Sequence, residues 1–337
     1  MVTLLFNILI TLSAIAIGTN MHPDMFDIIL FRTGTIALFM ASMLEKPKRE
    51  LSQNAKDIIS ALLILIIFNI FINTFNPIVL SNSMNLFLFI IMATTLYRYY
   101  NPDGKLKYFI ATGVIINIVM FLSQQLGFNP IADIPTYAGQ SGAFFGNKQR
   151  LATYIAITVP FLADIHPFLM IIPLIMAKAT DQTIILLALI ITMMYLSRNK
   201  PKRLIIQLLI VSIALIWKYP RIIQSLSFRF NNAWKHAILM FFDRPFLGYG
   251  IGIQQINGMD FIGNSYLQFI VGTGIMGVLW IIYALKKLIA DNTNLIYLIV
   301  LAAVAFFEYP IELPRLWITI AAIVTIPQLK KGETNVS

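Results

Sequence analysis

The chain has 337 residues, of which 58% are hydrophobic and only 12% charged, and its mean hydropathy is +0.78. About a quarter of the residues of a soluble domain are charged, so this composition excludes an ordinary soluble protein and predicts an integral membrane protein. The chain contains no cysteine, which excludes disulfides, thiolate catalysis and Cys-ligated metal centres. Its three histidines are far apart in sequence, and we therefore predict neither a metal nor a cofactor.

Apolar runs recur from Val2 to Pro327 with no long polar stretch between them. A transmembrane helix needs about 20 mostly apolar residues, or fewer where neighbouring helices shelter its ends. We predict an all-α, polytopic membrane helix bundle of about twelve transmembrane helices, forming a single integral membrane domain over residues 1–337. The first run has no basic start and no small-residue cleavage site, so we expect a span there rather than a cleaved signal peptide. The predicted spans are 2–19, 26–44, 58–75, 84–98, 107–126, 151–163, 167–179, 182–197, 204–217, 265–285, 294–309 and 316–328.

Basic residues orient this predicted bundle. Fifteen of the 25 Lys and Arg residues fall on one face, which the positive-inside rule assigns to the cytoplasm together with both termini. The net charge of +10 therefore indicates topology first, and we predict no nucleic-acid partner. These fifteen residues are Lys46, Lys48, Arg49, Lys56, Arg98, Lys105, Lys107, Arg198, Lys200, Lys202, Arg203, Lys286, Lys287, Lys330 and Lys331.

The other basic residues lie where topology opposes them. Nine fall in or beside the outer connections, and Arg32 lies inside the second span. As a group they predict a site for a phosphate or pyrophosphate at headgroup level. Singly, each of the nine is better explained by contact with lipid phosphates or by snorkelling from a helix end, and Arg32 either snorkels outward or reaches the same site. The nine are Lys148, Arg150, Lys178, Lys218, Arg221, Arg229, Lys235, Arg244 and Arg315.

Two outer loops are long, 127–150 and 218–264, and long ordered loops are where sites tend to lie. In the first, the sequence Gly146-Asn147-Lys148-Gln149-Arg150 opens the sixth span. Its amides are expected at a helix N-terminus, a position that favours anions.

The second loop is predicted to carry an interfacial amphipathic helix from Arg229 to Asp243. At helical spacing an apolar face contains Phe230, Ala233, Trp234, Ala237, Ile238 and Phe241, and the opposite face contains Arg229, Asn232, His236 and Asp243. The apolar face is expected in the outer leaflet or against the bundle. Pro245 follows, and glycines at the alternate positions 248, 250 and 252 would let this backbone approach another backbone or a ligand closely.

Three stretches resemble one family, the O-antigen ligases and polymerases. FFGNKQRLATYIAITVPFL (144–162) resembles the segment in which a Gly-Asn pair opens a span after an outer loop. The order of residues in SFRFNNAWKHAILMFFDRPFLGYGIGIQQ (227–255) resembles the large-loop motif, and NSYLQ (264–268) the start of the following span. The matched positions, which we predict to be structural, are Gly146, Asn147, Trp234, Asp243, Pro245, Gly248, Gly250 and Asn264.

The resemblance implies a membrane glycosyltransferase in the bacterial inner membrane whose active face is extracytoplasmic. Such enzymes move a glycan from an undecaprenyl-diphosphate carrier to a hydroxyl of a glycolipid or of another lipid-linked glycan, with no nucleotide sugar and no essential metal. Arg229 is the best match for a donor-binding residue. Lys148, Arg150, Arg32 and Lys178 are assigned to the donor diphosphate on charge and on side of membrane.

Two departures from the family pattern leave alternatives open. Gly263 stands where many relatives have the His proposed to activate the acceptor, so His236 and Asp260 become the candidate catalytic bases, with Glu308 and Glu312 more remote. For each of these residues alone a structural role, such as an interfacial anchor, a turn cap or an ion pair, is the better explanation. The sequence Thr180-Asp181-Gln182-Thr183 replaces a Ser-Arg pair, a loss for which Lys178 is the candidate substitute. The alternatives are a non-enzymatic lipid-linked glycan transporter and a catalytically impaired member of the same fold.

Overall fold

The described part of the chain is all-helical, and no strand occurs in it. The computed structural model describes residues 1–15, 23–73, 76–101, 105–128, 142–146, 148–180, 182–197, 219–220, 223–224, 227, 229–252, 264–291, 295–307 and 314–329. The predicted ninth span, 204–217, most of the outer loop 127–150 and residues 253–263 of the outer loop 218–264 lie outside these residues.

Twelve α-helices are present among the described residues. Their bounds are α1 Val2–Ile15, α2 Pro23–Met43, α3 Gln53–Ile72, α4 Pro77–Tyr99, α5 Leu106–Gln125, α6 Lys148–Ile165, α7 Ile171–Ala179, α8 Thr183–Ser197, α9 Lys235–Asp243, α10 Ser265–Asp291, α11 Leu295–Phe307 and α12 Pro314–Leu329. A 3-10 turn, Ala143–Phe145, precedes α6, and a π-helical turn, Arg229–Trp234, precedes α9.

Four helices are long and apolar enough to cross a membrane: α3, α4, α5 and residues 265–287 of α10. Four shorter apolar segments, 2–15, 168–179, 183–197 and 295–307, lie among them. Large apolar side chains point outward, among them Ile64 and Phe71 on α3 and Leu279 and Ile282 on α10. Apolar outer faces of this extent are unfavourable in water, so the helices suggest membrane association.

The core is centred on α6, on which every side chain from Leu151 to Ala163 is buried. It is surrounded by α5, α7, α8 and α11, while α4 packs against α2, α3 and α12. α10 packs on α3 and α11, and α9 lies against α10. A helix that is apolar on all sides belongs in the interior of a bundle, which explains the place of α6.

Polar contacts join one set of helix ends, which we name the basic end. It comprises the N-termini of α1, α3 and α5 and the C-termini of α2, α4, α6 and α10. The backbone amide of Val2 donates to Glu45 Oε1 at 2.9 Å, and that of Asn101 donates to Thr3 Oγ1 at 2.9 Å. Lys107 Nζ lies 3.1 Å from the carbonyl oxygen of Asp164. Similarly, Lys287 Nζ lies 3.2 Å from Asp57 Oδ2, which joins the end of α10 to the start of α3.

These contacts bring together connections that the charge pattern of the sequence assigns to one face. Lys46, Lys48 and Lys56 lie in them or beside them. The other ends of the same helices, including Pro77, Lys148 and Ser265, form what we name the opposite end.

Candidate functional site

The best-defined polar structure at the opposite end is a short chain reversal, Pro245–Gly252, which we name the glycine segment. Its glycines at 248, 250 and 252 have φ values of 65°, 104° and 87°, the left-handed region that favours glycine. The amide of Tyr249 donates to the carbonyl of Val271 and that of Gly250 to the carbonyl of Gly272, both at 2.9 Å. The glycine segment therefore pairs with α10 backbone to backbone.

These contacts confirm the close approach that the glycines predict. A Cβ at position 248 would lie 2.5 Å from the carbonyl atoms of Gly272, and one at 250 would lie 2.5 Å from Val79 of α4. A Cβ at 252 would lie 2.0 Å from Asn82 Nδ2. The glycine segment thus fits between α4 and α10 because it has no side chains at these points.

α10 is itself broken where the glycine segment meets it. Gly274 has φ 65° and ψ −151°, which is not helical. The amide of Ile275, just past the break, donates to the carbonyl of Pro245 at 2.7 Å. In a hydrocarbon environment each backbone group released by such a break needs a partner within the protein, and the glycine segment supplies one.

Asn69 of α3 completes this junction. It is only 2% exposed, its Nδ2 donates to the carbonyl of Gly272 at 3.0 Å, and its Oδ1 accepts from the amide of Ile251 at 3.1 Å. One amide side chain therefore joins α3, the broken turn of α10 and the glycine segment. Asn69 is not among the site residues predicted from the sequence; the available signal was an isolated amide in an otherwise apolar run.

The large-loop motif docks on α10 and α11 through Arg229 and Trp234. The guanidinium of Arg229, which is half-buried, donates to the carbonyl of Phe307 at the C-terminus of α11. The Trp234 ring lies 5.5 Å from that of Phe306, edge to face, and Trp234 packs with Ala237, Met240 and Val271. A cation at a helix C-terminus is favourable, so Arg229 stabilises this docking.

The predicted amphipathic helix is present, but its apolar face is divided. Trp234 and Ala237 are buried, whereas Phe230 and Ile238 are exposed, and Met240 takes the buried position next to Ala237. The wider i→i+5 hydrogen bonding of the π turn changes the angle between successive residues and rotates α9 relative to a regular helix. His236 and Asp243 are both exposed on α9.

Asp243, Arg244 and Tyr249 form a cluster between α9 and the glycine segment. The phenol of Tyr249 donates a hydrogen bond to Asp243 Oδ2, and the Arg244 guanidinium carbon lies 4.6 Å from the centre of the Tyr249 ring. The hydrogen bond and the charge of Asp243 raise the pKa of Tyr249 above its ordinary value. This cluster places a carboxylate and a guanidinium against one aromatic ring.

Arg32 is held by the first turns of α4. Its Nε donates to Asn85 Oδ1 and its Nη2 to Ser81 Oγ, both at 2.9 Å. The same turns of α4 contact the glycine segment through Val79 and Asn82. Arg32 therefore lies beside the part of α4 that receives the glycine segment.

Gly146 of the Gly-Asn motif lies just before α6. Gly146, with φ 76°, ends the turn Ala143–Phe145, and α6 begins at Lys148. Buried Asn117 of α5 accepts from the amide of Phe144 at 3.4 Å and donates to the carbonyl of Ala14 at 2.8 Å, which fixes this turn to α5 and α1.

The remaining predicted site residues are distributed as follows. Lys148 and Arg150 are half-exposed in the first turn of α6, and Lys178 is exposed in the last turn of α7. Asn264 caps α10, because its Oδ1 accepts from the amide of Leu267 at 3.0 Å. Asn147, Asp260, Gly263, Glu308 and Glu312 lie outside the described residues.

The structure thus joins Arg229, Trp234, Asp243, Pro245, Gly248 and Gly250 in one assembly on α10 and α11. Within the described residues, no group of three or more His, Asp or Glu side chains forms a possible metal site. No protein-family model matches the chain, and no curated protein sequence matches it. The family resemblance therefore rests on the motifs in 144–162, 227–255 and 264–268.

Proposed function

We propose that the chain is a membrane glycosyltransferase of the O-antigen ligase and polymerase type. It moves a glycan from an undecaprenyl-diphosphate carrier to the hydroxyl of a glycolipid or lipid-linked glycan acceptor. The observation that carries the proposal is the docking of the large-loop motif on α10, because motif residues from Arg229 to Gly250 form one connected structure. The connection of these motif residues at one end of the bundle supports the proposal.

The proposed topology has twelve spans in the bacterial inner membrane, with both termini and the basic end in the cytoplasm. The positive-inside rule supports this orientation, because the charge pattern of the sequence assigns fifteen of the 25 Lys and Arg residues to this face. In this orientation the glycine segment and the first turn of α6 lie on the extracytoplasmic face, where a lipid-linked donor presents its glycan.

Binding of the donor diphosphate is proposed for the cations at the opposite end. Lys148 and Arg150 combine with the N-terminus of α6, which favours anions. Arg32 is preorganised by Ser81 and Asn85. The Arg229 guanidinium, which donates to the carbonyl of Phe307, carries a positive charge at the docked large-loop motif. Such groups stabilise the charge that develops on a diphosphate leaving group.

The test is transfer in proteoliposomes that contain undecaprenyl-diphosphate oligosaccharide and a panel of glycolipid acceptors. We expect a glycosylated acceptor and released undecaprenyl diphosphate. The double variant Lys148→Ala/Arg150→Ala should lower kcat/KM for the donor about tenfold or more, since each cation contributes on the order of 1 kcal/mol or more. Lys46→Ala/Lys48→Ala, two exposed cations at the basic end, is the matched control and should leave transfer unchanged. An intact donor with every acceptor would refute the proposal.

A second candidate, a non-enzymatic transporter of lipid-linked glycans, is favoured by one observation. Transporters commonly use helices that are broken within the membrane, and α10 is broken at Gly274. The same proteoliposomes separate the two, because a transporter would move labelled donor between leaflets without forming a glycosidic bond. A catalytically impaired member of the fold would instead bind the donor and give neither product.

A further inference from the structure

The cluster of Asp243, Arg244 and Tyr249 is fixed to the broken helix at both of its ends. The carbonyl of Pro245, directly after Arg244, accepts from the amide of Ile275 at 2.7 Å. The amide of Tyr249 donates to the carbonyl of Val271 at 2.9 Å. The side-chain hydrogen bond from Tyr249 to Asp243 therefore closes a loop whose backbone is already held by α10.

Asp243 differs in position from the other carboxylates whose side chains the structure describes. Glu45, Glu50, Asp57 and Asp164 lie at or beside the basic end, and Asp27 is completely buried in α2. Asp243 is exposed, and it lies beside the docked large-loop motif at the opposite end. It is thus the carboxylate, within the described part of the chain, that is both accessible and next to the proposed site.

Arg244 adds a positive charge to the cluster. Its guanidinium carbon lies 4.6 Å from the Tyr249 ring centre, on the ring whose hydroxyl is bound to Asp243. A cation over an aromatic face is attracted to it, and this attraction holds the guanidinium near the carboxylate. A carboxylate and a guanidinium are thereby held at one ring.

We propose that Asp243 is the proton acceptor of the transfer reaction, with Tyr249 as the residue that positions it and Arg244 beside the leaving diphosphate. This inference rests on the proposed function. The acceptor hydroxyl gives its proton to the Asp243 carboxylate while its oxygen forms the bond to the anomeric carbon. The bond from that carbon to the diphosphate oxygen breaks, and its electron pair leaves with the diphosphate, whose charge Arg244 stabilises.

His236, the other exposed candidate base on α9, lies seven residues before Asp243. Seven residues are about two helical turns, or roughly 10 Å along the axis. A hydroxyl within hydrogen-bond reach of Asp243 is therefore beyond the reach of His236. The two assignments exclude each other, so one experiment separates them.

The test compares Asp243→Asn with the wild-type protein in the proteoliposome transfer assay. Asparagine keeps an oxygen that accepts the Tyr249 hydrogen bond but does not take up a proton. We expect kcat to fall by about 10²–10⁴-fold, with KM and the unfolding temperature unchanged. Asp164→Asn is the matched control, since it makes the same change in an exposed carboxylate at the basic end and should keep full activity.

The positioning role of Tyr249 is tested by combining variants. Tyr249→Phe should lower kcat less than Asp243→Asn does, and the double variant should be no slower than Asp243→Asn alone, because the phenol acts through the carboxylate. A double variant in which the two losses multiply would overturn this role.

Two outcomes overturn the catalytic assignment while leaving the proposed function intact. One is a wild-type kcat for Asp243→Asn, and the other is a larger kcat loss for His236→Gln than for Asp243→Asn. Failure of the wild-type protein to transfer glycan to any acceptor would instead refute the proposed function, and this inference with it.

Discussion

α6 and α10 are stabilised in opposite ways. α6 is buried on all sides from Leu151 to Ala163, and its Thr153 and Thr158 side chains donate to carbonyls of the same helix. α10 is broken at Gly274, exposes Leu279 and Ile282, and receives hydrogen bonds from α3 and the glycine segment. Shape-complementary packing holds the first helix, whereas specific polar bonds hold the second.

The difference shows which helix depends on the rest of the fold for its hydrogen bonds. An unbroken apolar helix at α10 would satisfy its own backbone and would need neither Asn69 nor three left-handed glycines. The break makes α10 depend on distant residues, and in exchange it fixes Tyr249 and the segment that follows Asp243. Such local departures from regular structure concentrate at functional sites.

The largest effect is expected for Gly248→Ala. The new Cβ would meet backbone atoms of Gly272 and Thr273 at 2.5–2.6 Å, and the residue would keep a φ of 65°. Because the atoms that the Cβ would meet belong to the backbone, no flexible side chain can move aside. We expect the free energy of unfolding to fall by about 3 kcal/mol or more from strain and overpacking. The measurement is the unfolding midpoint of the purified protein in detergent.

Gly127→Ala is the control for this change. Gly127 has a φ of 78°, but a Cβ at this position would meet nothing within 4 Å, so the substitution carries the backbone strain without the clash. We expect a loss of about 1 kcal/mol. Equal losses at the two positions would show that α10 and the glycine segment are not in tight contact.

A smaller but still large effect is expected for Asn69→Leu. The change removes the partner of the Ile251 amide and one of the partners of the Gly272 carbonyl, both of which lie at the junction. Leaving such groups unpaired costs about 2–4 kcal/mol in total. Hydrogen exchange should accelerate at residues 249–252 and 272–275, and mass spectrometry of those peptides measures it.

Asn73→Ala, at the residue that caps the C-terminus of α3, is the matched control. The Asn73 Nδ2 donates to the carbonyl of Asn69 within its own helix, so its loss should cost less than about 1 kcal/mol. Exchange that is equally fast in both variants would argue that Asn69 is not the junction's key amide.

Ile155→Val tests the packing half of the comparison. Ile155 is fully buried at the centre of α6, and loss of one methylene there should cost about 0.5–1.5 kcal/mol. We expect the unfolding midpoint to fall with no change in hydrogen exchange at the glycine segment. Faster exchange at residues 249–252 would mean that the two regions are coupled rather than independent.

The helices were predictable from sequence because each apolar run is continuous, and the close approach of the glycine segment was predictable from its alternate glycines. The extent of α4 was not predictable from the sequence. The predicted span begins at residue 84, whereas the helix begins at Pro77. Polar residues in its first turns resemble a loop in sequence. In the structure Asn82 donates to the carbonyl of Ile78 in its own helix, and Asn85 and Ser81 bind Arg32.

The break in α10 and the role of Asn69 depend on contacts that no local pattern contains. Glycine is common in membrane helices, so Gly272 and Gly274 alone do not predict a break. The break is stable because Pro245 and Asn69, far away in sequence, supply hydrogen bonds to the released backbone groups. The sequence therefore predicted the close approach of the glycine segment but not the junction that holds it.

The smallest effect is expected at the exposed tip of the glycine segment, where Tyr249 binds Asp243. The pKa of this phenol is raised above its usual value of about 10. The hydrogen bond therefore stabilises the folded protein fully at pH values below about 10. This contribution is lost as the pH rises through the higher folded-state pKa. The wild-type protein should thus be slightly more stable than Tyr249→Phe near neutrality, and the difference should disappear in strongly alkaline buffer. Unfolding midpoints of both proteins between about pH 8 and pH 11 measure it, and a difference that persists unchanged across that range would show that the phenol hydrogen bond does not contribute.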